Sequence, residues 1–271
     1  MLFSVSTWNI NSIRLRLDQV QRFLEKEQPD ILCLQETKCP DEHFPVSECI
    51  TSGYPFVSCV GQKGYNGVAI LSKYSFTSTL THSFCERNDA RHIAITLGKD
   101  ARNAAGLAIH NFYVPAGGDV PDPEQNPKFA HKLQFLQEMY HFFHKTVLTE
   151  KPSILVGDLN IAPLENDVWS HKQLLKVVSH TPVETETLET IRQEAGWVDA
   201  IRSLHPEPEK IYTWWSYRSS DWEKANKGRR LDHIWVSPDM KPNLKSLVLT
   251  KETRSWERPS DHVPVTLKLD L

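Results

Sequence analysis

Four short apolar runs, spread from one end of the chain to the other, each meet a carboxylate, an amide or an imidazole. Leu2–Thr7 leads into Trp8-Asn9-Ile10-Asn11, the strand-like Ile31–Gln35 into Glu36-Thr37-Lys38, and Ser153–Val156 into Gly157-Asp158-Leu159-Asn160, while Ser260-Asp261-His262 introduces Val263–Leu269. Short apolar runs bounded by turn residues read as buried strands. A sheet built from them delivers the polar groups at its strand ends to one shared rim. Between the first two runs, Leu17, Val20, Phe23 and Leu24 recur at helical spacing within Arg14–Gln28, and Pro29-Asp30 stops the helix. A β-α-β opening of this kind marks a layered α/β fold.

A chain of 271 residues can bury a sizeable core. Further strands are expected at Phe56–Val60, Gly67–Ser72, His92–Leu97 and Leu107–Val114, with a turn at Gly64-Tyr65-Asn66-Gly67, and later at Leu231–Val236, Lys245–Leu249 and Val263–Leu269. Helices are expected at Pro127–Leu148, Asp167–Val177 and Glu184–Ala195. Pro115–Pro127, rich in Pro, Gly and Asp, reads as a loop. Its flanking strands feed the same rim, so it is not a linker, and residues 1–271 are expected to form one domain. The net charge of −3 means that any polyanion partner must meet locally concentrated basic residues. Five cysteines, Cys33, Cys39, Cys49, Cys59 and Cys85, odd in number and without Cys-x-x-Cys spacing, argue against a disulfide framework or a zinc site. Cys33 is expected in the core. With no charged leader and no apolar run long enough to span a bilayer, a cytoplasmic enzyme without membrane association is expected, acting as a monomer.

Several of these residues carry chemistry. Glu36 offers oxygens suited to Mg²⁺ or Mn²⁺; the ordinary alternative is a solvated surface carboxylate. Asp158 and Asn160 share one face if the strand continues through them. A carboxylate there can orient or deprotonate water, and an amide beside it can hold that water or a phosphoryl oxygen. In a turn the same pair would merely cap the backbone. Asp232 and His262 form a candidate pair in which the carboxylate fixes the imidazole tautomer and favours its charged form. The alternative is a satisfied core histidine, in a chain that has twelve. Tyr113 ends a strand before the long loop, where its phenol could donate to a phosphate oxygen or simply close the strand. From Lys210 to Arg230 come Tyr212, Trp214, Trp215, Tyr217, Arg218, Trp222, Lys224, Lys227, Arg229 and Arg230. Basic side chains there would neutralise phosphates, and aromatic ones would enter a groove or fill the gap of a missing base. At least one of Trp214 and Trp215 is expected to be partly core. Carboxylates, amides and a histidine delivered to one rim read together as a divalent-metal phosphoesterase site.

In this order and spacing, Thr7–Ser12, Leu34–Lys38, Tyr113-Val114-Pro115, Gly157–Asn160, Arg229–Asp232 and Ser260–Val265 resemble the exonuclease III family of apurinic/apyrimidinic endonucleases, within the endonuclease/exonuclease/phosphatase superfamily. The resemblance runs from Leu2 to Leu269. It implies a four-layer α/β sandwich, with two mixed β-sheets packed face to face and helices outside. It implies Asn9, Glu36 and Asp261 around a Mg²⁺ ion, with Mn²⁺ as a substitute, and Asp158 as the carboxylate that activates water. Asn160 would position water and phosphate, His262 and Tyr113 would contact the phosphate, and Asp232 would orient His262. Arg14, Lys38 and Tyr65 match positions on the DNA backbone, and Trp214 and Leu231 are expected to line the abasic-sugar pocket. Three positions depart from the relatives: Asn11 replaces an acidic residue near the metal, Ala116 replaces an amide, and Arg229 replaces an apolar or aromatic pocket wall. Arg229 is accordingly expected to contact the DNA strand near the lesion. The implied activity is hydrolysis 5′ to abasic sites in double-stranded DNA, with trimming of blocked 3′ ends and 3′→5′ exonuclease action. Two rivals are a phosphoesterase of inositol phosphates or sphingolipid headgroups and a DNA-binding relative without catalysis. Tyr113-Val114-Pro115 and the 210–230 segment count against the first; intact Glu36, Asp158, Asn160 and His262 count against the second.

Overall fold

The computed structural model describes residues 2–145, 152–219 and 221–271. One six-stranded sheet runs in the order β13 (Leu244–Leu249), β14 (Val265–Asp270), β1 (Leu2–Asn9), β2 (Ile31–Gln35), β4 (Tyr65–Ser72), β3 (Phe56–Gln62). The other runs β5 (Phe76–Thr81), β6 (His92–Leu97), β7 (Ala108–Tyr113), β8 (Ser153–Asp158), β12 (Asp232–Val236), β9 (Val198–Asp199). Both are mixed: β1 and β2 are parallel, as are β7 and β8, and the remaining pairings are antiparallel. A small ribbon joins β10 (Trp214–Trp215) to β11 (Gly228–Arg229). The main helices are α1 (Leu17–Glu27), α3 (Pro127–Lys145) and α5 (Pro182–Glu194), with short helices α2 (Val46–Thr51), α4 (His171–Leu174), α6 (Ala200–Leu204) and α7 (Trp222–Ala225) in the connections.

The alternation of side chains along each strand explains the layering. In β2, Ile31 and Cys33 join the central core between the sheets, while Leu32 and Leu34 pack outward with Val20, Phe23 and Leu24 of α1. In β8, Ile154 and Val156 face the central core, and Leu155 packs with Phe135, Leu136 and Met139 of α3 and Leu188 and Ile191 of α5. Both faces of β2 and β8 are therefore apolar, which is why these strands read as continuous runs. The result is four layers, helix on sheet on sheet on helix. Cys33 is fully buried, and all five cysteines are free thiols. Among the described residues no helix is long and apolar enough to cross a membrane.

Two expectations shift. The first turn lies at Lys63-Gly64, with Gly64 at φ +81°, and Tyr65 and Asn66 already belong to β4. No long helix fills Asp167–Val177: Val168 bridges to Arg229 in a β-contact, and Asp167 is drawn into ion pairs with Arg230 and Arg202, so only α4 remains helical. The expected end of the Pro127–Leu148 helix lies outside the described residues. The strand β5 went unread because Phe76–Thr81 is a mostly exposed edge strand rich in threonine and serine.

Buried histidines set an acid limit on this fold. His92 Nε2 and His110 Nδ1 lie 3.2 Å apart among Phe84, Phe112 and Phe142, and His233 is fully buried beside Arg230. Burial pushes His110 and His233 down to about 4, the latter aided by Arg230. The unfolded chain takes up these protons near pH 6.5, whereas the folded chain resists until about pH 4. This stability is thus whole above about pH 6.5 and lost as pH falls towards 4, by about 3 kcal/mol per histidine. Thermal unfolding should show a lower midpoint at about pH 5 than at about pH 7, with the gap narrowed in His110→Phe. An equal gap in that variant would place the acid sensitivity elsewhere.

Candidate active site

The parallel pairs bring their C-terminal ends to one rim. Asn9 closes β1 opposite Gln35 of β2, with Glu36 next, and Tyr113 closes β7 opposite Asp158 of β8. Asp232 opens β12 directly opposite Asp158, and His262, just ahead of β14, bridges to Trp214. The backbone turns sharply here. Asn11, Glu36, Lys38 and Asn160 take φ of 48°, 50°, 49° and 54°, a left-handed conformation that costs non-glycine residues and gathers at functional sites. The strand therefore stops at Asp158, and Asn160 reaches it by a turn rather than by strand alternation. Gly157 is required at φ +145°, because a Cβ there would sit 1.9 Å from the Phe112 carbonyl oxygen.

Hydrogen bonds lock this rim around Asp158. Asn9 Nδ2 donates to Asp158 Oδ2 at 2.8 Å and to Glu36 Oε1 at 2.9 Å. The Asn160 backbone N–H donates to Asp158 Oδ1 at 2.9 Å, and its Nδ2 donates to Asp158 Oδ2 at 3.2 Å and to the Val114 carbonyl at 2.9 Å. His262 Nδ1 lies 2.8 Å from Asp232 Oδ2, and its Nε2 lies 3.6 Å from Asp158 Oδ2. Asp261 accepts from Trp214 Nε1 at 2.8 Å. Lys38 Nζ lies 2.8 Å from Glu36 Oε2 and donates to Asn11 Oδ1 at 2.7 Å.

Electrostatics follow from burial and neighbours. Burial alone would lower His262, but Asp232 and Asp158 outweigh it and raise it, so the imidazolium form is favoured. Burial raises the Asp158 carboxyl against the pull of His262. Burial would also raise Glu36, but Lys38 and hydrogen bonds from Asn9, Lys38 and Tyr113 hold it below the usual carboxylate range. Tyr113 is pushed well above its usual value by burial, with Glu36 and Asp158 adding to the effect, so it stays a neutral donor.

The donor set fits a hard divalent cation: carboxylate and amide oxygens of Glu36, Asp158, Asp261 and Asn9, with no thiol. The ammonium of Lys38 on Glu36 marks a position where positive charge is already favoured. Asp158, Asp232 and His262 bring ligand atoms within 4.8 Å of one another, all buried, and Asp232 Oδ1 has no hydrogen-bond partner.

A cavity of about 560 Å³ opens beside this rim. Glu36, Asn160, Asp261 and His262 line it on the rim side, and Trp169, Trp214, Arg229 and Leu231 line it further out. Ala116 also lines it, and its carbonyl accepts from Lys132 Nζ at 3.3 Å. Arg14 and Tyr65 are exposed, free to meet a polyanion, while Lys38 is held by Glu36. The 210–230 segment divides. Arg218, Lys227 and Arg229 line the cavity, but Tyr212 and Trp215 are core, and Arg230 is fully buried against Asp167 and Asp199, so none of these three faces DNA. Sequence reasoning missed Lys132, whose Nζ donates to the Asn160 carbonyl at 2.8 Å and pairs with Glu184 at 2.5 Å, both side chains fully buried. A signal existed, since Lys132 falls in register with Phe129, Leu136, Met139 and Phe143 on the buried stripe of α3.

With rim and cavity in place, comparison with known proteins defines the class. Residues 6–262 match the Endonuclease/Exonuclease/phosphatase family, and the chain belongs to it. Within it, the chain is 30% identical over 265 residues to exodeoxyribonuclease III of Haemophilus influenzae, covering 96% of this chain and 97% of that one. The fold is similar to an AP endonuclease from Archaeoglobus fulgidus, with a TM-score of 0.90 and 33% identity over 99% of this chain and 100% of that chain. It is equally similar to the 3′ phosphatase NExo from Neisseria bound to product DNA hairpin, with a TM-score of 0.89, 33% identity and the same coverage. The expected four-layer sandwich is the observed one.

Proposed function

We propose that this protein is a Mg²⁺-dependent DNA repair phosphodiesterase that hydrolyses the bond 5′ to an abasic site in duplex DNA, trims blocked 3′ ends and degrades strands from the 3′ end. The observation that carries this reading is the Asp158 carboxylate, oriented by three donors from Asn9 and Asn160 and facing the His262–Asp232 pair at the mouth of the cavity. The nuclease names of the relatives support the same substrate. The reading takes residues 1–271 as one catalytic unit, since both ends of the chain contribute strands to the same sheet, and takes it to act as a monomer in the cytoplasm.

In this reading Asp158 accepts a proton from the attacking water, whose oxygen forms the new bond to phosphorus as the P–O3′ bond breaks. One fragment keeps a 3′-hydroxyl and the other a 5′-phosphate. His262, held charged by Asp232, and the Tyr113 hydroxyl donate to the non-bridging oxygens as negative charge builds there. Asn160 keeps the water and Asp158 in line. Glu36, Asn9 and Asp261 would hold the Mg²⁺ ion, which supplies Lewis-acid neutralisation of the phosphoryl group when bound. A side-by-side assay tests the reading: an abasic duplex should be turned over and a soluble phosphomonoester ignored, and the reverse outcome would point to a small-molecule phosphatase.

The metal assignment makes its own prediction. Glu36→Ala should move the Mg²⁺ dependence of the rate to higher concentration before it weakens DNA binding, because a rim carboxylate is lost from a hard-cation site. A Mg²⁺ curve that does not shift would remove Glu36 from that site.

A further inference from the structure

The cavity beside Asp158 and His262 carries more cationic charge than a bare sugar requires. Backbone bridges run in a row from His262 to Trp214, from Trp214 to Arg229 and from Arg229 to Val168. Arg229 thus stands two strand spacings, ~10 Å, from the His262 backbone. Its Nη1 donates to the Val178 carbonyl at 3.1 Å and to Ser179 Oγ at 2.7 Å, and its guanidinium lies 5.2 Å from the centre of the Trp214 ring. Its Nε is buried with no acceptor. Lys227, 4.8 Å from the Trp169 ring centre, and Arg218 line the same space. The far wall is therefore two indoles and three cations, with one guanidinium already fixed in place by the Val178–Ser179 segment.

The occupant of such a wall can be chosen on physical grounds. A deoxyribose without its base offers no π face and no planar acceptor edge, so it leaves a desolvated guanidinium unmatched. A nucleobase offers both: its face stacks on indole and guanidinium planes, and its edge carries acceptors for N–H groups. We propose that Arg229 makes this an intact-nucleotide pocket, in which the base of a 3′-terminal nucleotide rests against Trp214 and Arg229 while its 5′ phosphate lies at Asp158 and His262. The protein then turns over a 3′-terminal nucleotide in preference to an internal abasic one. Water adds to phosphorus, the P–O3′ bond breaks, and a nucleoside 5′-monophosphate leaves behind a new 3′-hydroxyl. This inference rests on the phosphodiesterase reading and deepens its substrate class.

Three labelled duplexes test it with Mg²⁺ present: a recessed end with an ordinary 3′ nucleotide, an internal abasic analogue, and a 3′-phosphate end whose rate normalises each protein for its catalytic groups. The wild type should favour the terminal nucleotide. Arg229→Leu should shift the ratio of the two rates at least about tenfold towards the abasic duplex, the scale of a lost stacking and hydrogen-bonding partner. Arg229→Lys, which keeps the charge but loses the plane, should fall between. Equal ratios in the three proteins, or a wild type that favours the abasic duplex, would overturn the inference while leaving the phosphodiesterase reading intact. A wild type that cuts neither the terminal nucleotide nor the abasic duplex would defeat the phosphodiesterase reading and this inference together.

Discussion

Asparagine in place of Asp158 is expected to lower kcat on the order of 10²-fold or more while leaving affinity for abasic duplex close to that of the wild type. The side chains are nearly isosteric, and the pocket for this one is defined by Asn9 Nδ2, the Asn160 N–H and Asn160 Nδ2. Shape therefore survives, but the proton acceptor does not, and one amide N–H must face donors that previously met a carboxylate oxygen. His262→Ala should cost a similar factor for a different reason: it removes the cation proposed to face the phosphoryl group and strands the fully buried Asp232 without its partner. Rates with Mg²⁺ and affinities by anisotropy in EDTA separate the two quantities. A fall in affinity that tracks the fall in rate would make these residues binders rather than catalysts.

The largest effect on stability is expected from Lys132→Met, about 3–5 kcal/mol, because removing one member of a buried ion pair leaves the other charge uncompensated. Glu184 is the charge left behind. Beyond Lys132 it accepts from the Ser179 and Thr181 backbone N–H groups and from Thr181 Oγ1. Lys132 itself holds the Ala116 and Asn160 carbonyls, and burial pulls its ammonium below the usual lysine range despite Glu184. One ion pair thus ties α3 and α5 to the loop after β7, to Asn160 and to the cavity wall that anchors Arg229. Urea unfolding of Lys132→Met, Glu184→Gln and the double variant measures this. The double variant should recover part of the loss, since a pair of neutral groups no longer buries an unmatched charge. A single variant as stable as the wild type would show that the pair contributes nothing net.

The sequence disclosed the parts of this structure that local chemistry determines. Ile31–Gln35 and His92–Leu97 are strands to the residue, because buried strands of mixed sheets are apolar on both faces and end where the polarity changes. The rim residues were legible for the same reason: Asn9, Glu36, Tyr113, Asp158 and Asp232 all sit at strand ends. Long-range pairing was not legible. Asp167 looks like a residue of an amphipathic helix until Arg230 and Arg202 claim it, and Arg230 looks like a DNA contact until Asp167 and Asp199 bury it. Lys132 sits on an apolar stripe whose one charged member is satisfied by partners distant in sequence, Glu184 on another helix and the Ala116 and Asn160 carbonyls. Lys38, matched to a DNA-backbone contact, also pairs with Glu36, two residues away and brought near by the left-handed backbone at both positions.

The central claim, metal-dependent incision beside a missing base, is tested most directly by a duplex carrying one internal abasic analogue and a 5′ label on the damaged strand. With Mg²⁺ the first labelled product should end immediately 5′ to the lesion, shorter products should follow as that new end is trimmed, and a polymerase should extend them because they carry a 3′-hydroxyl. EDTA should abolish the cut, and Mg²⁺ in excess should restore it. An intact strand under all conditions, equal cutting in EDTA, or a fragment that cannot be extended would contradict the account.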